Sequence, residues 1–487
     1  MIDLNKASPS IGSGVRDISP SKSLASQIQT PYDELIPSSE EPSTQYYLDT
    51  MRIYLALCAG SISVEAALQA VEILRNNPEY VTWPVNPARI PINNTYKSKM
   101  LDNLKTLKKF NLITRDSIKS ALSFALLGED GPISATDERA LKIFSRNPTI
   151  SLVDAARELA LTPRTVARAL ERLGEKNTLR FSTLLDFSVF NLQHSILFFT
   201  LKEDAEWAEL EQGFARYPFT KNILKTTMTD LGYVSFLIPG FQRNRNIFQS
   251  SLREISDEFL EYASLHYQQG TGVTTNLDLF RRGEWSLPTY ITDEIRNEEG
   301  LANPPLLVCK GTDDGLTKDD LAVATHLQFD SRAPPSKISK TLAIRGFDMD
   351  SRRVAQSEKK LRDRDVVLDY ASFGGISLSS NFCFEIVCDD EWKERTMRIV
   401  SQFPWSMYYT SNRGIIVWTI TPGSHQVDYY QVFRALEQNP GVQQVNPIMT
   451  LAQGGSRSTL DLVEDYPYVD GEWSVPADET DFRNFLL

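Results

Sequence analysis

The hexapeptide Gly283-Glu284-Trp285-Ser286-Leu287-Pro288 returns as Gly471-Glu472-Trp473-Ser474-Val475-Pro476, a spacing of 188 residues (471 less 283). The same spacing carries Arg164-Thr165-Val166-Ala167 onto Arg352-Arg353-Val354-Ala355, and Leu173 onto Leu361. Two distant segments that share one offset predict a tandem duplication, so one chain has to build the same core twice. Insertions nearly cancel between them, since Gly232 corresponds best to Gly414 and Pro239-Gly240 to Pro422-Gly423.

The chain has 487 residues, enough for ~3 to 4 domains, and its 41% hydrophobic and 23% charged residues belong to the ordinary globular range. No run approaches the ~20 apolar residues that a bilayer span requires, and no leader pattern opens the chain; the expectation is a cytoplasmic protein with no membrane partner. Cys58, Cys309, Cys383 and Cys388 are dispersed, as are His194, His266, His326 and His425. That scatter gives no metal set and no catalytic nucleophile, and it predicts buried thiols, no cofactor and no enzyme activity. The net charge of −12 by itself argues against a nucleic-acid partner. Most of the acidity, however, falls in three segments, 1–45, 283–316 and 453–487; the last holds eight carboxylates against Arg457 and Arg483. What remains is close to neutral.

Residues 1–44 are rich in Ser and Pro without an apolar period, which predicts a disordered tail. Helical stripes (Tyr47, Leu48, Met51, Tyr54, Leu55, then Val64, Ala67, Leu68, Val71) predict a small helical domain over 45–130. One reading of it is a third, degenerate helix-turn-helix.

A helix-turn-helix is predicted over 131–185. Ser134 or Thr136 caps a helix with Ala140, Ile143 and Phe144 on its apolar face, and Asn147-Pro148 stops it. Ser151 with Asp154 opens a second helix as a capping box. Thr162 then serves as N-cap with Pro163 at the first helical position, where a missing N–H costs nothing. In this third helix Val166, Leu170 and Leu173 point inward while Arg164, Arg168 and Arg172 recur every fourth residue on another face, with Thr165 and Lys176 extending it. Guanidinium groups grip phosphate or the O6/N7 edge of guanine, which suits such a helix to the major groove of double-stranded DNA. The alternative is a solvated face. The second copy, 317–372, places Asp350 at the cap and Arg352, Arg353, Gln356, Lys359 and Lys360 on the helix. Glu358 at the position of Leu170 and a longer preceding segment with Gly346 mark it as degenerate.

After each helix-turn-helix the pattern reads β-α-β-β-α-β, over 186–282 and again over 373–452. That order builds a four-stranded antiparallel sheet with both helices on one face, the ferredoxin-like sandwich. The fold class expected is therefore α+β: two tandem copies of a winged helix-turn-helix plus a ferredoxin-like βαββαβ sandwich, preceded by a small helical domain. Residues 283–316 read as a linker and 453–487 as an acidic tail. The open sheet faces call for a partner, either the other copy in an intrachain pseudo-dimer or a second chain in a homodimer.

Leu159-Ala160-Leu161-Thr162-Pro163-Arg164-Thr165-Val166, continuing through Leu170 to Leu173, resembles the helix-turn-helix of the leucine-responsive (Lrp/AsnC) transcription regulators, and the segment behind it resembles their amino-acid-sensing domain. The resemblance covers 134–280 well and 317–452 loosely. It implies promoter binding through Thr162, Arg164, Thr165, Arg168 and Arg172. It also implies a small-molecule effector site near the turn between the second and third strands, where Asp230, Gly232, Asn412 and Gly414 stand. The turns Thr229-Asp230-Leu231-Gly232 and Ser411-Asn412-Arg413-Gly414 lack that family's glycine-then-acid order, which counts against an amino acid as the effector. Two other functions compete with regulation: a scaffold whose helix-turn-helix binds protein, and a sirohaem-decarboxylase-like enzyme on the same scaffold.

Overall fold

A computed structural model describes residues 24–40, 42–75, 94–114, 117–118, 121–122, 133–225, 231–240, 242–288, 301–449 and 457–486. It is a mixed helix-and-sheet protein. The first body packs helices α1 (Pro42–Cys58), α2 (Val64–Arg75) and α3 (Asn94–Phe110) around Leu48, Met51, Leu55, Ala67, Val71, Met100 and Leu104. The predicted disordered tail is corrected over 24–40. Leu24, Ile28 and Ile36 are buried in that same core, and Asp33 pairs with Arg52, so a few apolar anchors outweigh the polar local composition.

Three helices follow, α4 (Ala135–Arg146), α5 (Leu152–Leu159) and α6 (Pro163–Lys176), and lead into strand β1 (Arg180–Leu185). The first sheet unit then runs β2 (Leu192–Leu201), α7 (Trp207–Arg216), β3 (Thr220–Lys225), β4 (Gly232–Pro239), α8 (Gln242–Phe259) and β5 (Leu260–Thr275). A second trio, α9 (Lys318–Leu327), α10 (Pro335–Ile344) and α11 (Ser351–Asp363), leads into β6 (Val367–Ser372). The second sheet unit runs β7 (Leu378–Cys388), α12 (Asp390–Val400), β8 (Trp405–Ser411), β9 (Gly414–Pro422), α13 (Gln426–Leu436) and β10 (Val442–Met449).

Strand order across the main sheet is β10-β7-β9-β8-β5-β2-β4-β3. Within each unit the first and third strands are central, and β5 joins the two. Its first half, through Tyr267, pairs with β2, and its second half, from Gln268, pairs with β8. Alternation of side chains decides what each face meets. Leu197 and Phe199 of β2 face α7 and α8, while Phe384 and Ile386 of β7 face α12 and α13. The opposite faces, carrying Ile196, Phe198 and Tyr233 in one unit and Cys383 and Ile416 in the other, pack on each other. Each open face is thus covered within the chain.

Strands β1 and β6 form a separate antiparallel ribbon in which Ser182 lies opposite Tyr370, the residue 188 positions further on. A reciprocal exchange accompanies it. Trp285, on a tight hairpin with Phe280, donates from Nε1 to Ile376 O at 2.6 Å, just before β7. Trp473, on a matching hairpin with Tyr468, donates to Phe190 O at 2.8 Å, just before β2. Arg282-Gly283 and Asp470-Gly471 turn both hairpins with positive φ.

Two further expectations are corrected. The supposed acidic tail folds over 457–486: Ser458 caps a short helix, Trp473 lies in the core of the second helical trio, and Phe482 stacks on Phe214 at 5.0 Å. Its carboxylates are used locally, Asp461 and Glu464 both pairing with Arg345. The supposed linker supplies Glu284–Trp285 and a short strand, Leu307–Val308, added to the edge of β5. In each case buried aromatic or aliphatic residues at wide spacing supply the docking energy, and no local periodicity reveals them.

Candidate nucleic-acid interface

Local chemistry sets the geometry of the first trio. Ser151 Oγ accepts from the backbone N–H of Asp154 at 3.0 Å, which starts α5, and Ala160 in the left-handed region (φ 53°) ends it. Thr162 Oγ1 then accepts from Thr165 N–H at 3.2 Å, with Pro163 at the first helical position, so α6 leaves the turn at a fixed angle. Val166, Ala169 and Leu173 are buried against Ala140, Phe144, Ala155 and Leu159. Leu170, expected inward, is only half-buried, and Ala169 takes the core position. This explains why Glu358 is tolerated in the second trio. It corresponds to the half-buried position, while Val354, Ser357 and Leu361 match the buried set. The third helix of the second trio therefore buries the same three positions as that of the first.

The expected basic row divides into anchored and free residues. Arg172 is exposed but engaged: its Nη2 and Nε donate to the two carboxylate oxygens of Asp137 at 2.5 and 3.2 Å. Asp137 is the third residue of α4 and is buried, so the pair clamps α6 to α4. In the second trio Lys360 does the same for Asp320, at 2.7 Å, with Ser357 Oγ donating to the other oxygen at 2.6 Å. Those donors more than offset burial and hold the Asp320 carboxyl below its ordinary range. Arg353 is tied to Asp319 at 2.9 Å and to Asp348 O at 2.8 Å. Thr165 shares a hydrogen bond with Thr162 and completes the cap.

Arg164, Arg168 and Lys176 on α6, and Arg352, Gln356 and Lys359 on α11, are exposed and make no hydrogen bond or ion pair with a described residue. Helix α3 rests against α6, its buried Tyr96 within electrostatic reach of Arg180, yet Arg164 and Arg168 remain open to solvent. A free cationic strip beside a rigid helical trio can accept phosphate oxygens or base edges.

The residues implied as an effector site lie at the turn between the second and third strands of each sheet unit. Asp230 lies outside the described residues. Gly232 opens β4, where a Cβ would stand 2.5 Å from the Phe199 ring, and Gly414 (φ 142°) closes the β8–β9 turn, where a Cβ would meet Ile386 O at 2.1 Å. Asn412 Oδ1 accepts from Tyr267 N–H at 2.8 Å and so ties that turn to β5. Each of the three described residues thus has a packing or turn role.

A buried polar cluster between the sheets escaped the sequence reading. His266 Nε2 lies 2.7 Å from Glu385 Oε1, and His266 Nδ1 lies 2.8 Å from Ser411 Oγ. Asn446 Nδ2 and Tyr262 OH donate to Glu385 Oε2 at 2.7 and 3.0 Å. Burial alone would raise the Glu385 carboxyl, but His266, with Ser264 and Asn446, brings it below its ordinary range. Every other residue along β5 and β7 faces inward, and that parity was the one available signal. The 119-residue separation hid the pairing. Among the described residues no cluster of three or more His, Cys, Asp or Glu could hold a metal ion, and no helix is long and apolar enough to cross a membrane.

Residues 133–180 match the winged helix-turn-helix DNA-binding family, so the first trio with the start of β1 is a DNA-binding module of that class. No curated protein matches the chain. Among solved structures, the siroheme decarboxylase NirDL is similar at 12% identity over 72% of this chain and 98% of that one, with a TM-score of 0.40. The same enzyme in complex with an iron-uroporphyrin III analogue is similar at 11% identity over 67% and 96%, TM-score 0.39. A transcriptional regulator of Neisseria meningitidis, solved with L-methionine, is similar at 16% identity over 28% and 88%, TM-score 0.22.

Proposed function

We propose that the chain is a transcription regulator of Lrp/AsnC-like type that binds promoter DNA through two helix-turn-helix modules and takes no part in catalysis. The observation that carries this reading is the free strip Arg164, Arg168 and Lys176 on the third helix of the matched segment, exposed while its neighbour Arg172 is spent on holding the helix in place. Phosphate contacts by such a strip position the helix, and an arginine near its N-terminus reads a base edge. The two halves are tandem copies, each a winged helix-turn-helix with a ferredoxin-like sandwich. Support comes from the matching buried sets on α6 and α11, the two Asp clamps, and the reciprocal tryptophan hairpins. The sandwiches serve as an intrachain pseudo-dimer, a reading supported by the packing of Ile196, Phe198 and Tyr233 on Cys383 and Ile416.

The test is duplex binding by the full chain at several salt concentrations. Five free cations, Arg164, Arg168, Lys176, Arg352 and Lys359, give an expected slope of log K against log salt of about −4.5 if all contact phosphate, and about −3 if three or four do. Affinity indifferent to salt overturns the reading. Arg168→Ala is expected to weaken specific binding by about 1–3 kcal/mol without lowering the melting temperature.

A further inference from the structure

We infer that the chain recognises an inverted repeat with two unequal half-sites, one read through Arg168 and the other through Gln356, so that it binds its target in a single orientation. The inference rests on the DNA-binding reading above and adds what that site distinguishes.

Three observations lead there. The two helical trios are joined by the β1·β6 ribbon, in which Ser182 pairs with Tyr370, the residue 188 positions on. An antiparallel pair in which a residue faces its own counterpart places a local two-fold axis at that point, and α6 and α11 enter the ribbon from opposite ends of it. A two-fold reader docks on two half-sites in opposite orientation, about 10 base pairs apart or a multiple of that. Second, the helices are anchored alike: Arg172 and Lys360 hold Asp137 and Asp320, so the exposed residues one turn earlier are presented in the same way. Third, the presented residues differ. Arg164 and Arg352 are the same, Arg353 is withdrawn onto Asp319, and the remaining unencumbered contrast near the helix N-termini is Arg168 against Gln356. Arginine pairs bidentately with guanine and glutamine with adenine. A homodimer would present one residue twice, whereas a single chain with two modules is free to present both.

The experiment selects duplexes from a random pool with the full-length protein at fixed salt, then sequences them. The expected product is an inverted repeat with guanine at one position of the first half-site and adenine at the matching position of the second. Gln356→Arg is expected to turn that adenine into guanine and make the site symmetric. Arg168→Gln is expected to do the reverse, and each exchange should cost about 5- to 150-fold in affinity for the original site. Both positions are exposed, and unchanged melting curves confirm that the variants fold. Identical half-sites from the parent chain, or a selected sequence that neither exchange alters, overturn this inference and leave the DNA-binding reading standing. A pool with no selected sequence and no salt-dependent binding overturns both.

Discussion

The replacement Trp473→Ala tests whether the C-terminal segment is part of the fold. Trp473 is 2% exposed, its ring centroid is 4.3 Å from that of Tyr468, and its indole N–H donates to Phe190 O across the two halves. Removing a buried aromatic of this size costs about 3–5 kcal/mol through lost transfer and the cavity left behind. Trp473→Phe keeps most of the ring and loses chiefly the hydrogen bond, leaving a buried carbonyl without its donor, which costs about 1–2 kcal/mol. At about 2–4 °C per kcal/mol for a body of 150–250 residues, the alanine variant should melt at least ~6 °C below the parent chain. Urea titration followed by far-ultraviolet circular dichroism gives the free energies, and amide exchange over 317–363 shows whether the second trio loosens. Trp285→Ala, the reciprocal anchor with its 2.6 Å bond to Ile376 O, should show the same order of loss in the first trio. An alanine variant at 473 within 0.5 kcal/mol of the parent chain would refute the docking and restore 453–487 to an independent tail.

Two other predictions follow from anchored groups. Arg172→Ala should destabilise the first trio by about 1–3 kcal/mol, because the buried Asp137 carboxylate loses both of its guanidinium donors, while the salt slope of DNA binding stays unchanged; a slope reduced by about one unit would instead assign Arg172 to phosphate. Burial lowers His194 to about 3 and His326 to about 4, so the folded state binds fewer protons than the unfolded chain below pH 6.5. Stability contributed by these neutral imidazoles is complete above that pH and declines on acidification, by about 2 kcal/mol for each at pH 5. Replacing His194 with Gln should flatten the pH 5–6.5 limb of a denaturation series, and an unaltered limb would contradict the burial argument.

The sequence by itself determined whatever depends on neighbours along the chain. Thr162-Pro163 specifies the start of α6 because cap and first-turn chemistry act within three residues, and Ser151 with Asp154 does the same for α5. The hexapeptide that recurs after 188 residues likewise needs no coordinates to be seen. Tertiary structure alone decided which cations are free. Arg168 and Arg172 look alike in sequence, and only the approach of Asp137, 35 residues away, consumes one and spares the other. It also decided that Phe482 folds back among aromatic residues of the first half, that Trp473 reaches the Phe190 carbonyl, and that Glu385 meets His266 where the inner sheet faces pack. Local signals are set by bonded geometry and short-range hydrogen bonding, whereas these contacts exist because burying scattered side chains together lowers the free energy. Their partners are fixed by the path of the whole chain.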